Sequence, residues 1–266
     1  MIVRFLLIVL LLFGGEVAAA AAPAKGELVK SGLVKGGWGR VARVVDGDTL
    51  FLDDGVQVRL VGIQAPKLPL GRRDFKAWPL ADEAKQVLET LTLGRQVTLF
   101  YGGQRLDRYG RALAHLYRDD GLWIQQRLLH MGLARVYSFR DNRAVVPEML
   151  AAEQQARAAH VGIWGHGWYR IWQQADLHAG LEGFQLIEGI VLKTALVRGR
   201  IYLNFGQDQR QDFTITVAPR DRRLFDRAGF DHQGLAGHRV RVRGWLKHFN
   251  GPSIEASHPE QIEILD

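Results

Sequence analysis

Two aspartates one residue apart, Asp46 and Asp48 in the stretch DGDT at 46–49, are the first residues in this chain whose types and spacing suit chemistry. On a strand, alternation would put both carboxylates on one face, a pair of hard oxygen donors suited to a cation such as Ca²⁺. In a turn, Asp-Gly is a common turn dipeptide. Arg59, in RLVGIQAPK at 59–67, and Arg111, in DRYGRALAHLY at 107–117, add positive charge of a particular shape. A guanidinium is a planar fork of donors that matches phosphate oxygens, and phosphoryl chemistry needs fixed donors where charge gathers. Each arginine alone reads as a surface charge. Together with the aspartates they point to a phosphate ester.

The elements that must position these residues are mostly strands. RVARVV (40–45), DTLFLD (48–53) and VQVRLVGI (56–63) alternate or run apolar, with Asp-Asp-Gly at 53–55 as a hairpin turn. Residues 80–93 repeat apolar side chains at helical spacing and stop at Gly94. RQVTLFYG is a further strand, and RALAHLYRDDGLWI reads as a strand, an Asp-Asp-Gly turn and a second start. A helix over 123–131 ends at Gly132, LARVYSF is a short strand, and 147–161 opens with Pro147 and continues as an Ala-rich helix. Residues 39–164 therefore predict a small meandering barrel with about three helices, after a loose linker at 23–38. A connector follows at 165–183, with Trp168, Tyr169 and Trp172 too apolar for a free tether.

From Phe184 the runs FQLIEGIVLKTAL, RIYLNFG, DFTITVAP, HRVRVRGWLKHF and SIEASHPEQIEIL give five strands, with DRRLFDRAG as a helix-like insert. This order predicts a second small OB-like β-barrel over 184–266; an immunoglobulin-like sandwich is the rival, but it calls for about seven strands. The fold class is mainly β (α+β). Arg239, Arg241 and Arg243 alternate along one strand and read as a solvated charged face, while Trp245, His248 and Phe249 read either as core aromatics or as a base-stacking surface.

In order, DGDTLFL, VQVRLVGIQAP, DRYGRALAHLY, a helix with GLARVY, and a helix ending in GIW resemble the staphylococcal nuclease (thermonuclease) family over residues 39–164. The resemblance implies an OB barrel with three helices and Ca²⁺-dependent cleavage of DNA and RNA. It implies that Asp48 is a metal ligand, and that Arg59 and Arg111 are catalytic, binding the phosphate and stabilising its transition state. Arg108, Tyr109 and Tyr137 would fall on the nucleic-acid-binding face. One departure stands out. The family pattern after the Arg59 strand reads Asp-Thr-Pro-Glu, and this chain has Gln64-Ala65-Pro66-Lys67. Gln64 at the metal position offers a carbonyl oxygen without charge. Lys67 stands where the family has the residue assigned to activating water, and loss of a general base costs about 10²–10⁴ in rate. Lys67 joins Arg72, Arg73 and Lys76 in a basic loop suited to phosphate binding. Asp46, Asp74, Asp82 and Glu83 are the carboxylates placed to stand in, although Glu83 reads better as a helix-start acid interacting with the macrodipole.

Composition sets the remaining bounds. The chain has 266 residues and no cysteine, which excludes thiol nucleophiles and Cys-based zinc sites. Arg4, the apolar run FLLIVLLLF at 5–13 and the small-residue tract ending near Ala22 predict a cleaved signal peptide over 1–22, and hence a secreted or periplasmic protein. The net charge is +7, and residues 180–266 carry 12 Lys+Arg against 11 Asp+Glu, so the basic surplus lies on the part that holds DGDT. A basic surface favours a polyanion. Three functions follow as expectations: an exported thermonuclease-like hydrolase with an altered site, a catalytically inactive nucleic-acid-binding module, or an envelope scaffold.

Overall fold

The computed structural model describes residues 32–208, 210–248 and 250–266. The expected signal peptide, residues 23–31 of the expected linker, and Phe249 lie outside the described residues.

The first unit is a closed barrel. Strands β1 (Val34–Asp46), β2 (Thr49–Leu52) and β3 (Gln57–Leu60) form a meander, and β5 (Gln96–Tyr101) and β6 (Ala112–Arg118) close it in the order β1-β2-β3-β6-β5. β1 begins inside the expected linker, five residues before the expected barrel boundary at 39. Val34 and Lys35 pair with Tyr101 and Phe100, so backbone hydrogen bonding extends the strand through a glycine-rich arm that carries no apolar alternation. Helices α1 (Ala81–Thr92), α2 (Ile124–His130) and α3 (Val146–Ala158) lie within the expected helical windows to about a residue. The expected second start after the 119–121 turn is not a strand: residues 121–123 lead directly into α2, with Trp123 bridging to Tyr117. Leu50, Val58, Leu60, Ala114, Leu116, Leu88, Ile124 and Leu128 fill the core.

VQVRLVGI does not run as one strand. It breaks at Val61, and Gly62–Gln64 forms β4, which leaves the barrel to pair with β7 (Arg135–Tyr137). Gly62 makes this possible: its φ is +83°, and a side chain there would meet Met149 Sδ and Cε at under 3 Å. The β4/β7 register sets Gln64 opposite Arg135.

The connector packs, as its aromatic content suggested. Tyr169 is buried and donates its hydroxyl to Pro79 O (2.7 Å), and Trp168 lies 4.9 Å from the ring of Trp78. β8 (Trp172–Gln173) then joins the second sheet, with β9 (Gly183–Ile190), β10 (Lys193–Val197), β11 (Arg200–Asn204), β12 (Thr214–Val217), β13 (Arg239–His248), β14 (Pro252–Ala256) and β15 (Ile262–Ile264). The helix-like insert is α4 (Arg222–Arg227). The order β10-β11-β12-β14-β13-β9-β8, with β12 and β14 parallel, is a curled half-barrel. Only Val191 and Leu192 separate β9 from β10, so the sheet curls back towards its own far edge. Ile201, Leu203, Ile215, Val217, Val240, Val242 and Ile254 line its inner face.

The two units are docked on ionic contacts. Arg243 on β13, expected on a solvated face, is fully buried; it donates to Glu153 Oε1 on α3 (2.8 Å), to Glu263 (2.6 Å) and to the Val136 carbonyl (3.2 Å). Arg157–Glu263 (2.8 Å), Arg143–Glu260 (2.7 Å) and Arg140–Asp221 (2.8 Å) ring this contact. Buried ions of this kind hold together only when every charge is paired.

Candidate nucleic-acid interface

DGDT is a two-residue hairpin turn between β1 and β2, yet it delivers its carboxylates inward. Gly47 carries the turn tight against the barrel, where a Cβ would come within 2.7 Å of Ala65 and 2.8 Å of Ala84. Asp48 is fully buried. Its Oδ1 accepts from the Thr49 hydroxyl (3.2 Å), and its Oδ2 accepts from the Ala65 amide (2.8 Å) and from Lys67 Nζ (2.6 Å), with Arg59 Nη2 at 3.2 Å. Burial pushes the Asp48 carboxyl up, but Arg59 and Lys67 outweigh it and hold the group well below the usual carboxylate range. Asp46 accepts from the Asp48 amide (3.1 Å) and lies 3.8 Å from Lys67. Burial and the neighbouring Asp48 charge push Asp46 up.

Arg59 crosses this cluster and reaches a cleft. Its guanidinium donates to the carbonyls of Leu60 (2.7 Å) and Ile63 (2.8 Å), so its position is set by backbone. Arg111 is held from the other side: Asp107 Oδ2 accepts from Arg111 Nε (2.7 Å), while Asp107 Oδ1 accepts from the amides of Tyr109 (2.9 Å) and Arg111 (3.0 Å). Burial opposes ionisation of Asp107, but these donors lower its pKa. Tyr109 stands out at 68% exposure with Arg108 over its ring (4.8 Å). Arg59, Arg108, Tyr109, Arg111 and Tyr137 line one cleft of about 510 Å³, together with Gln104, Phe139, Asp141 and Asn142.

Two expected site residues lie elsewhere. Lys67 is at the Asp48 cluster and not in the cleft. Gln64 turns its Oε1 to Arg135, accepting from Nε (3.0 Å) and Nη2 (2.7 Å). Sequence reasoning passed over Arg135 because it lies 71 residues away; its only signal is a lone charge within the apolar strand LARVYSF. Asp82 and Glu83 sit exposed in the first turn of α1. Among the described residues no three acidic or histidine side chains gather into a metal-sized group.

A model of the staphylococcal nuclease homologue family matches residues 57–166. An Escherichia coli protein named as an uncharacterized endonuclease is 36% identical over 129 residues, covering 47% of this chain and 76% of that protein. The thermonuclease of Staphylococcus hyicus is 31% identical over 130 residues, 48% of this chain and 75% of its own length. The chain belongs to the staphylococcal nuclease homologue family. Endonuclease YncB of Bacillus subtilis is also similar, at 33% identity over 134 residues, 48% of this chain and 61% of that protein. The family match over residues 57–166 and the relatives named endonuclease and thermonuclease support a nuclease-like function.

Staphylococcal nuclease homologues are generally Ca²⁺-dependent. Ca²⁺ takes six to eight oxygen ligands. Asp48 already bonds the Lys67 ammonium (2.6 Å) and lies 3.2 Å from the Arg59 guanidinium, and the neighbouring Asp46 lies 3.8 Å from the same lysine. The Gln64 oxygen is spent on Arg135. The residues present do not fit a calcium ion. No helix among the described residues is long and apolar enough to cross a membrane.

Proposed function

We propose that the barrel unit binds the phosphodiester backbone of single-stranded DNA or RNA in the cleft between Arg59 and Arg111, with Tyr109 as a stacking face, and that it does so without a divalent metal. The contact between Lys67 Nζ and Asp48 Oδ2 (2.6 Å) carries this reading: a resident ammonium satisfies the buried carboxylate to which a metal would otherwise bind. With three donors and no acceptor, that ammonium cannot take a proton from water. Arg111 and Tyr109 remain turned to the cleft, and base–aromatic stacking tolerates any sequence.

Slow phosphodiester hydrolysis at the same cleft is the second reading. It is favoured by the convergence of two fixed guanidiniums on one cleft and by relatives named endonuclease. The two readings part in one experiment: binding and cleavage of a fluorescent single-stranded DNA with Ca²⁺, Mg²⁺, Mn²⁺ or EDTA, beside Arg59→Ala. Binding is expected to weaken steeply with salt and persist in EDTA. Metal-dependent cutting that disappears in Arg59→Ala would replace the binding reading with the hydrolytic one.

Export is part of the proposal. The apolar leader with its small-residue tract supports it. N-terminal sequencing of protein recovered from outside the cytoplasm tests it; a mature terminus near Ala22 is expected, and an intact Met1 terminus counts against it.

A further inference from the structure

One wall of the cleft is bonded to the half-barrel. Tyr137 and Phe139 form that wall, and the Tyr137 hydroxyl accepts a hydrogen bond from Trp245 Nε1 on β13 of the half-barrel (3.1 Å). Tyr137 also meets Phe139 and Phe184 edge-on, each at 4.8 Å. Phe184 is the β9 residue in register with Trp245, and Arg135 stacks on it at 4.8 Å. The indole of Trp245 is therefore fixed at one edge, yet the residue is 55% exposed. A large aromatic held in place but left uncovered is suited to stacking.

Two residues further along β13, Lys247 shares the outward face with Trp245, about 7 Å away. Lys247 also lines a second cavity of about 650 Å³ on the outer face of the half-barrel. Arg200, Tyr202 and Asn204 of β11, with Arg210 and Thr214, line it. Its one carboxylate, Glu255, is committed to Arg200 (2.6 Å) and Arg220 (3.1 Å). The groove thus presents two cations without a carboxylate partner among the described residues, Lys247 and Arg210, along with an aromatic and neutral hydrogen-bonding groups.

We infer that these features form one track, in which a single strand of nucleic acid held at Arg59 and Arg111 passes over Tyr137, stacks a base on Trp245 and follows Lys247 into the half-barrel groove. The track rests on the cleft reading above and extends it: the half-barrel is a second nucleic-acid-binding surface continuous with the first. The occupant must be a flexible polyanion with flat apolar faces, which is the chemistry of an unpaired strand.

The test is anisotropy of labelled oligothymidylates and oligouridylates of about four and about fifteen nucleotides, the range of sites on small barrels of this type, on the full chain. The wild type should favour the long strand. Trp245→Ala should reduce the long-to-short affinity ratio about tenfold, and Trp245→Phe, which keeps the ring but not the Tyr137 bond, should retain most of it. Lys247→Ala should lower the ratio and the salt slope for the long strand alone. Long-strand binding lost in Arg111→Ala but untouched in Trp245→Ala overturns the track and leaves the cleft reading standing. Long-strand binding that Arg111→Ala leaves intact overturns the cleft reading. Equal loss for both lengths in Trp245→Ala marks the residue as a prop for Tyr137 and also overturns the track.

Discussion

Lys67 Nζ lies 2.6 Å from Asp48 Oδ2, so the buried carboxylate at the β1–β2 turn is neutralised by the protein itself. Removing the lysine while restoring carboxylates should reverse this. In Lys67→Glu combined with Gln64→Asp, millimolar Ca²⁺ is expected to raise Tm by several degrees, since a ligand at about 100 times its Kd adds about 2.7 kcal/mol. The wild type should show the same Tm in Ca²⁺ and in EDTA. Equal calcium stabilisation of the wild type would sink the resident-cation interpretation.

Arg111 owes its position to Asp107, which accepts from its side chain and from two loop amides. Arg111→Ala should weaken binding of single-stranded DNA about tenfold and lower the salt slope by about one. Asp107→Asn keeps an acceptor for the amides but loses the charge on Nε, so its effect should have the same sign and be smaller. Titrations at three salt concentrations decide it; a larger loss in Asp107→Asn than in Arg111→Ala would mean that the loop, not the arginine, makes the contact.

How much of this was readable beforehand depends on distance along the chain. The barrel strands and three helices follow from alternation and helical spacing, which are local. Arg59, Arg108, Tyr109, Arg111 and Tyr137 line one cleft, a grouping across nearly 80 residues that no local pattern shows. The break at Val61 was hidden, because Gly62 sits in an otherwise continuous apolar run and its reason is Met149, far away in α3. That break decides where Gln64 points. Alternating arginines on β13 carry the pattern of a solvated face, and nothing local says that α3 covers Arg243. Trp245 was ambiguous for the same cause: whether an aromatic on a strand is core or surface is settled by what packs over it.

The Arg243–Glu153 pair joins two units 90 residues apart and is fully buried. Glu153→Ala leaves the guanidinium without that partner and the Val136 amide without its acceptor, at a cost of about 3–5 kcal/mol. Arg243→Leu combined with Glu153→Gln removes both charges and keeps the amide's acceptor, so it should recover most of that loss. Urea unfolding monitored by tryptophan fluorescence and circular dichroism should give a single coincident transition for the wild type. Two separated transitions would mean that the ionic contact does not couple the units.

Acid should loosen the same junction, starting at mild pH. His258 is buried against Ser138 (2.7 Å) and Ser257 (3.0 Å), and burial moves its pKa from 6.5 down to about 4. Buried His115 moves down to about 3 by the same cause. Below pH 6.5 the unfolded chain therefore binds protons that the folded one refuses, so stability falls as pH drops from 6.5 towards 4. For His258 the loss is about 3 kcal/mol by pH 4. Glu263 follows: burial raises it, but Arg243, Arg157 and Arg241 pull it to about 2 from 4.5, so its contribution is present above 4.5 and fades as pH falls towards 2. Asp46, whose pKa burial and the Asp48 charge raise, works in the opposite sense. Tm measured from pH 7.5 to 4 should decline from about pH 6.5, and His258→Gln, whose amide can still bond Ser138, should flatten the upper part of that decline. An unchanged slope in the variant would remove His258 from the account and leave His115 as the group that senses acid.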